Sequence, residues 1–277
     1  MSSRIAARFA ALKAEGRGAL IPFLEAWDPD AATSLAILRG MPGAGADLIE
    51  IGCPFTDPMA DGPTVQLAGR RALDAGANMH HTLAMVATFR EEDQTTPIIL
   101  MGYFNPILSY GEERFCADAA RAGVDGLIIV DLPSEEAGMV TPYAATHGLD
   151  IIRLVAPTTD KARLPLVLNG SSGFVYYVSI TGITGTRTAS ASELADAIPV
   201  IRQFTDLPIA VGFGVRTPAQ AAAAVQHADA AVVASALIDT LLSTLDPNGK
   251  ATPATVPAVL NQVRDLATAI RSARVPA

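Results

Sequence analysis

Cysteine is nearly absent: Cys53 and Cys116 are the two in 277 residues. Two cysteines cannot build a disulfide framework, and such a chain suits a reducing compartment, the cytoplasm. Packing is the expectation for both, ahead of redox chemistry. Basic charge is also short, with 20 Lys and Arg against 28 Asp and Glu and a net charge of −8. That balance argues against nucleic acid as a general partner. Long apolar runs are missing too. Although 50% of the residues are hydrophobic, no stretch approaches the roughly 18 apolar residues of a membrane span. The longest candidate, 219–238, is broken by Gln220, Gln226, His227, Asp229 and Ser235. The apolar content therefore has to fold inward, as in a soluble protein with no membrane partner. The N-terminus carries Arg4 and Arg8 but no signal-peptide core. Ile5, Phe9 and Leu12 have the spacing of a helix's inner face, so an N-terminal helix is expected in preference to a transit segment.

What is present is a repeated unit. Short, near-continuously apolar segments occur at 18–24, 46–51, 97–104, 124–130, 149–155, 173–180, 208–211 and 228–234, each followed by a helical stretch. Continuous apolarity, rather than alternation, marks strands covered on both faces. Eight such βα units in about 250 residues predict an α/β fold, a single (β/α)8 TIM barrel over residues 1–277. Extra helices are expected at the N-terminus, after strand 2 and at the C-terminus. An open doubly wound sheet is the runner-up.

Several boundaries follow from turn chemistry. Asp30 caps a helix that runs to the glycine-rich stretch 40–45, and Pro63 opens another, capped by Asp61 or Gly62 and ending near Gly76. A further helix spans about 79–92, and the third strand ends in Asn105-Pro106. The segment 246–250, with Pro253 and Pro257, reads as a surface connector before a last helix over 259–271. That helix packs Leu260, Val263, Leu266 and Ile270 inward.

In such barrels the chemistry sits at the C-terminal ends of the strands. The acidic residues placed there are Glu25, Asp28, Glu50, Asp57, Asp61 and Asp131, with Tyr103, Asn105, Tyr176 and Ser235 as polar neighbours. The three lysines fall elsewhere: Lys13 on the N-terminal helix, Lys161 opening a helix, Lys250 in the connector. Schiff-base aldol chemistry and a pyridoxal phosphate bound in this chain are disfavoured on that placement. The four histidines, His80, His81, His147 and His227, fall in outer helices or turns, and no pair has metal-ligand spacing on a strand end. General acid–base catalysis by carboxylates remains.

The stretch 47–63 stands out. It begins as an apolar strand bearing Glu50 and breaks into a loop with Pro54, Pro58, Asp57 and Asp61 before Pro63. A buried carboxylate without a partner costs several kcal/mol, roughly, and the prolines make the loop stiffer than a connector requires. Glu50, facing barrel interior, is expected to have a raised pKa and to give and take protons. Asp61, on a more polar loop, would stay ionised more readily. The alternative is that Glu50 pairs with an arginine or backbone donor and that Asp61 is only a helix cap. A phosphate signal comes from the last three units, where Thr184-Gly185, Gly212-Phe213-Gly214 and Ala234-Ser235 each lie where a strand hands over to a helix.

The stretch 50–66 closely resembles the signature of the tryptophan synthase alpha-subunit family. Supporting stretches are 101–106, 130–133, 155–158, 176–185 and 211–214, in the family's order along nearly the whole chain. The resemblance implies a lyase that cleaves indole-3-glycerol phosphate to indole and glyceraldehyde 3-phosphate in L-tryptophan biosynthesis, without a cofactor in this chain. By position it implies Glu50 as general acid–base and Asp61 as the carboxylate that engages the indole N–H. It implies Phe23, Met101 and Tyr176 at the indole, and Thr184, Gly185, Phe213, Gly214, Ala234 and Ser235 about the phosphate. The loops 54–61 and 181–188 would contact a beta subunit or close over substrate. The implied partner is that pyridoxal phosphate-dependent beta subunit, in an alpha2beta2 heterotetramer. Three departures are visible. Ala234 stands where the family usually has glycine, and Glu25 and Trp27 replace smaller or neutral residues. They keep open a subunit retained mainly to activate its partner; a barrel isomerase acting on a phosphorylated sugar is a further alternative.

Overall fold

The computed structural model describes residues 3–178, 191–212 and 214–273. Nine parallel strands form one sheet: β1 (Ala19–Glu25), β2 (Ile49–Gly52), β3 (Ile98–Gly102), β4 (Gly126–Ile129), β5 (Asp150–Ile151), β6 (Arg153–Val155), β7 (Val175–Val178), β8 (Ile209–Gly212) and β9 (Ala230–Val233). Their order is β5-β4-β3-β2-β1-β9-β8-β7-β6. The two edges, β5 and β6, are halves of one strand interrupted at Ile152, so the sheet curls into a nearly closed eight-position barrel. The segment expected as a single strand over 149–155 is thus split in two.

Register sets which side chains enter the barrel. Phe23 lies opposite Glu50, Glu50 opposite Ile99, and Tyr176 opposite Ala210. With a period of two along each strand, Ile21, Leu48, Ile99, Ile128, Ile152, Phe174 and Val232 form the inner cluster. Helix α1 (Arg4–Glu15) joins that cluster from below through Ile5, Phe9 and Leu12, all buried. Each such side chain contributes roughly 1.5–3 kcal/mol of burial. Ser3 caps α1 and Gly16, at φ 66°, ends it. The outer faces of the strands pack against the surrounding helices in a larger cluster.

Acidic residues close the bottom of the barrel. Asp47, Asp125 and Asp229 each open a strand and accept the backbone N–H of a neighbouring strand, from Leu20 at 2.9 Å, Ile98 at 2.8 Å and Ile209 at 2.7 Å. Arginines neutralise them: Arg8 and Arg17 at Asp47, Arg4 and Arg90 at Asp125, Arg202 at Asp229.

Helix α2 (Ala31–Ala44) is capped by the Asp30 side chain but continues through Gly40, Pro42 and Gly43 rather than running only up to the glycines. A side chain at Gly40 would collide with Leu260 of α12 (Thr255–Ser272), so the glycine serves helix packing, and Gly45 at φ 108° provides the stop. Helices α3 (Pro63–Asp74) and α4 (Met79–Arg90) follow β2. Gly62 is the N-cap of α3 and makes no side-chain cap bond, so Asp61 is not its cap. Beyond β3, residues 104–106 belong not to the strand but to helix α5 (Phe104–Tyr110), which Asp131 holds by accepting the Phe104 N–H at 2.7 Å. Helices α6 (Glu112–Ala122), α7 (Thr141–Thr146), α8 (Leu164–Leu168), α9 (Ala191–Ile201), α10 (Pro218–Ala224) and α11 (Ser235–Ser243) complete the ring, with a 3-10 turn over Ser134–Met139. Lys161 lies in a turn ahead of α8. Helix α12 starts four residues before the expected 259, because Pro257 sits in its first turn, where no N–H bond is lost.

Candidate active site

A cavity opens at the C-terminal end of the barrel, about 560 Å3 including its open mouth. Of the residues expected at the site it gathers Phe23, Glu50, Asp61, Met101, Tyr176, Gly214, Ala234 and Ser235. Thr184, Gly185, Phe213 and the loop 181–188 lie outside the described residues.

Glu50 enters the cavity because β2 places it on the inward face between Phe23 and Ile99. It is 1% exposed, and its Oε2 has no hydrogen-bond partner among the described residues. No described arginine pairs with it. Burial, and then the charge of Asp61, push its carboxyl up to about 8. At neutral pH it is therefore mostly protonated.

Asp61 is 9% exposed, more enclosed than the polar loop suggested. Burial pushes it up to about 6, against the opposing pull of a hydrogen bond from the Tyr103 hydroxyl. Asp61 still ionises before Glu50. Between about pH 6 and pH 8 the pair is one carboxylate and one carboxylic acid, two different tools side by side.

Tyr176 lies across the barrel on β7, fully buried, with its hydroxyl held well above its usual range by burial and by Glu50. A side chain at Gly212 would collide with that hydroxyl, which is the reason for glycine there. At the far side of the cavity Ala234 precedes α11 and offers no side-chain cap, leaving the first N–H groups of that helix open to an anion. Ala234 has φ −116°, so its methyl group brings no backbone strain. Gly214, at φ 81°, sits beside it.

Sequence reasoning missed Val65, Val215, Arg216 and Val232, which also line the cavity. Arg216 pairs with Asp239 of α11 and brings a cation to the end occupied by Gly214 and Ser235. Its place two residues beyond Gly214 was the available signal. Two of the other strand-end acids have structural partners. Asp28 is clamped by Arg71 through two bonds of 2.8 Å, and Asp131 holds α5. Trp27, at φ 70°, stacks on His81 with ring centroids 4.4 Å apart, outside the cavity. No group of three or more His, Cys, Asp or Glu among the described residues could hold a metal ion, and no described helix is long and apolar enough to cross a membrane.

A parallel barrel with two carboxyls of unequal acidity in one partly apolar cavity, and an uncapped helix start opposite, is the frame of a general acid–base enzyme with room for an anionic substrate. Residues 9–270 match the family model described as the tryptophan synthase alpha chain. The tryptophan synthase alpha chain of Granulibacter bethesdensis is 72% identical over 275 residues, 99% of either chain. That of Gluconacetobacter diazotrophicus is 69% identical, over 98% of this chain and 99% of its own. Among solved structures, the alpha subunit from Legionella pneumophila superposes with a TM-score of 0.89 at 36% identity, over 98% of this chain and 99% of that one. The chain belongs to the tryptophan synthase alpha chain family. It is a lyase of tryptophan biosynthesis that cleaves indole-3-glycerol phosphate to indole and glyceraldehyde 3-phosphate.

Proposed function

We propose that Glu50 and Asp61 divide this cleavage between them. Protonated Glu50 delivers a proton to C3 of the indole, which turns the ring into an iminium cation. Ionised Asp61 accepts the ring N–H and offsets that positive charge. Glu50, now a carboxylate, takes the proton of the adjacent glyceryl hydroxyl. The bond from C3 to the side chain then breaks, its electron pair returns to the ring, and the hydroxyl carbon leaves as the aldehyde. Glu50 ends protonated, ready for another cycle.

The single observation behind this reading is that two buried carboxyls, Glu50 and Asp61, line one cavity, where burial raises Asp61 to about 6 and Glu50 to about 8. Phe23, Met101 and Tyr176 would hold the indole between them, and Gly214, Ala234 and Ser235 the phosphate, assisted by Arg216. Thr184, Gly185 and Phe213 remain proposed phosphate-end residues on the resemblance alone. Glu50→Gln or Asp61→Asn should abolish indole release while leaving substrate binding measurable. Near-normal cleavage in either variant would overturn the division of labour.

The partner proposed is a tryptophan synthase beta subunit carrying pyridoxal phosphate, in an alpha2beta2 assembly in the cytoplasm. Support comes from Met59 in the loop ahead of α3 and Leu67 on α3 itself, 78% and 58% exposed, two apolar side chains turned outward. A mixture with the beta subunit should sediment as the heterotetramer. Residues 1–277 are proposed as one domain, since all nine strands join one sheet and α1 closes its base.

A further inference from the structure

The mechanism leaves the buried carboxyl of Glu25 unused, and it has no arginine clamp such as Asp28, Asp47 and Asp125 have. Glu25 ends β1 two positions beyond Phe23, on the same inward face, and is 4% exposed. It lies in a side chamber that adjoins the reaction cavity and shares Phe23, Asp61, Val65 and Met101 with it. Glycines make room for the carboxyl. A side chain at Gly52 would collide with its Oε2, and a Cβ at Gly69 would lie 3.6 Å from its Oε1. No described residue forms a hydrogen bond or ion pair with either oxygen, and a leucine or threonine there would avoid the desolvation that a carboxyl incurs.

The charged and titratable groups around it come from every neighbouring element. Asp61 faces it from the loop before α3, Asp28 from the exit of β1, and Arg71 from α3. Cys53 after β2 and Tyr103 after β3 complete the chamber. The one cation in that set, Arg71, is committed to Asp28. Burial first, and Asp61 next, hold Glu25 well above the usual carboxylate range. Burial and the facing Asp61 both favour the neutral form of Glu25, whereas the Tyr103 hydroxyl favours the ionised form of Asp61.

We propose that Glu25 is a positioning residue for Asp61: as a neutral acid it turns its O–H toward the Asp61 carboxylate across the side chamber and keeps that carboxylate ionised. A carboxylic acid buried away from water needs an acceptor for its O–H, and Asp61 is the anionic acceptor in its chamber. The arrangement gives this chain a second donor to Asp61 besides Tyr103. Its kinetic consequence rests on the reading of Asp61 given above; its effect on Asp61 ionisation does not.

The test follows the Asp61 carboxyl by carbon-13 NMR in the full chain, with labelled aspartate, through a pH titration of the wild type, Glu25→Gln and Glu25→Leu. The glutamine amide can still donate; leucine cannot. Loss of the donor should move the Asp61 midpoint up by about one pH unit in Glu25→Leu, and Glu25→Gln should stay close to the wild type. Glu25→Ala removes the donor with a smaller side chain and should shift upward as well, which covers a leucine variant that fails to fold. The acid limb of kcat/KM for indole release should move with the NMR midpoint. An unchanged midpoint in both the leucine and alanine variants, or a fall in either, overturns the proposal. A shifted midpoint with an unmoved acid limb supports the coupling and overturns the role of Asp61 in the reaction.

Discussion

The Tyr103 hydroxyl is bonded to Asp61 and at the same time accepts the backbone N–H of Ala60 at 3.0 Å. One phenol therefore anchors the loop and steadies the carboxylate that the loop presents. Phe55 rests against the same ring, with centroids 5.4 Å apart. Tyr103 comes from the end of β3, so a rigid strand end fixes a residue delivered by a proline-rich loop.

Tyr103→Phe removes the donor and keeps the ring. The Asp61 carboxyl, now at about 6, should rise further, because a bond that favours its charged form is lost. The acid limb of the pH–rate profile for indole release is expected to shift upward, with kcat/KM at pH 7 down about tenfold. Steady-state assays from pH 5 to pH 9 check both.

Glu50 carries a stability signature. Its folded-state carboxyl, at about 8, lies above the ordinary value of 4.5 for an unfolded chain. The folded state therefore holds the proton more tightly, and stability relative to a neutral residue is lost as pH rises from about 4.5 through 8. Glu50→Gln should melt close to the wild type at pH 5 and higher than it at pH 9, by on the order of 5 °C or more. Thermal melts at the two pH values decide it, and equal differences at both would contradict the burial argument.

Arg216 should act on binding rather than on chemistry. Its guanidinium reaches the end of the cavity held by Gly214 and Ser235, half engaged by Asp239. Arg216→Gln is expected to raise KM for indole-3-glycerol phosphate roughly tenfold with kcat within about twofold, since a phosphate contact holds equally in ground and transition states. The KM of the variant should also depend less on added salt.

Much of the barrel was legible because parallel strands covered on both faces read as unbroken apolar segments. Glu50 was legible for the complementary reason, as an acid where burial is costly. Other features were hidden by three-dimensional packing. Gly40 looks like a helix end in sequence, yet it is where Leu260, distant along the chain, presses in. The three strand-opening aspartates, Asp47, Asp125 and Asp229, fall inside the expected strands, and the neighbouring-strand N–H that each accepts is visible only in the fold. Glu25 was visible as an unusual residue after the first strand. Counting by two from Phe23 would have turned it inward; only the register to Gly52 shows what lies opposite.

The helix that plugs the base of the barrel precedes in the chain every strand it packs against. Phe9 packs at a tilt against Phe174, far along the chain, with ring centroids 5.8 Å apart, and Ile5 and Leu12 share the inner cluster with Ala230 and Val232 of β9. The pocket that receives α1 exists only after the final strand has closed the sheet. Until then the apolar stripe of this twelve-residue helix has nothing to cover it.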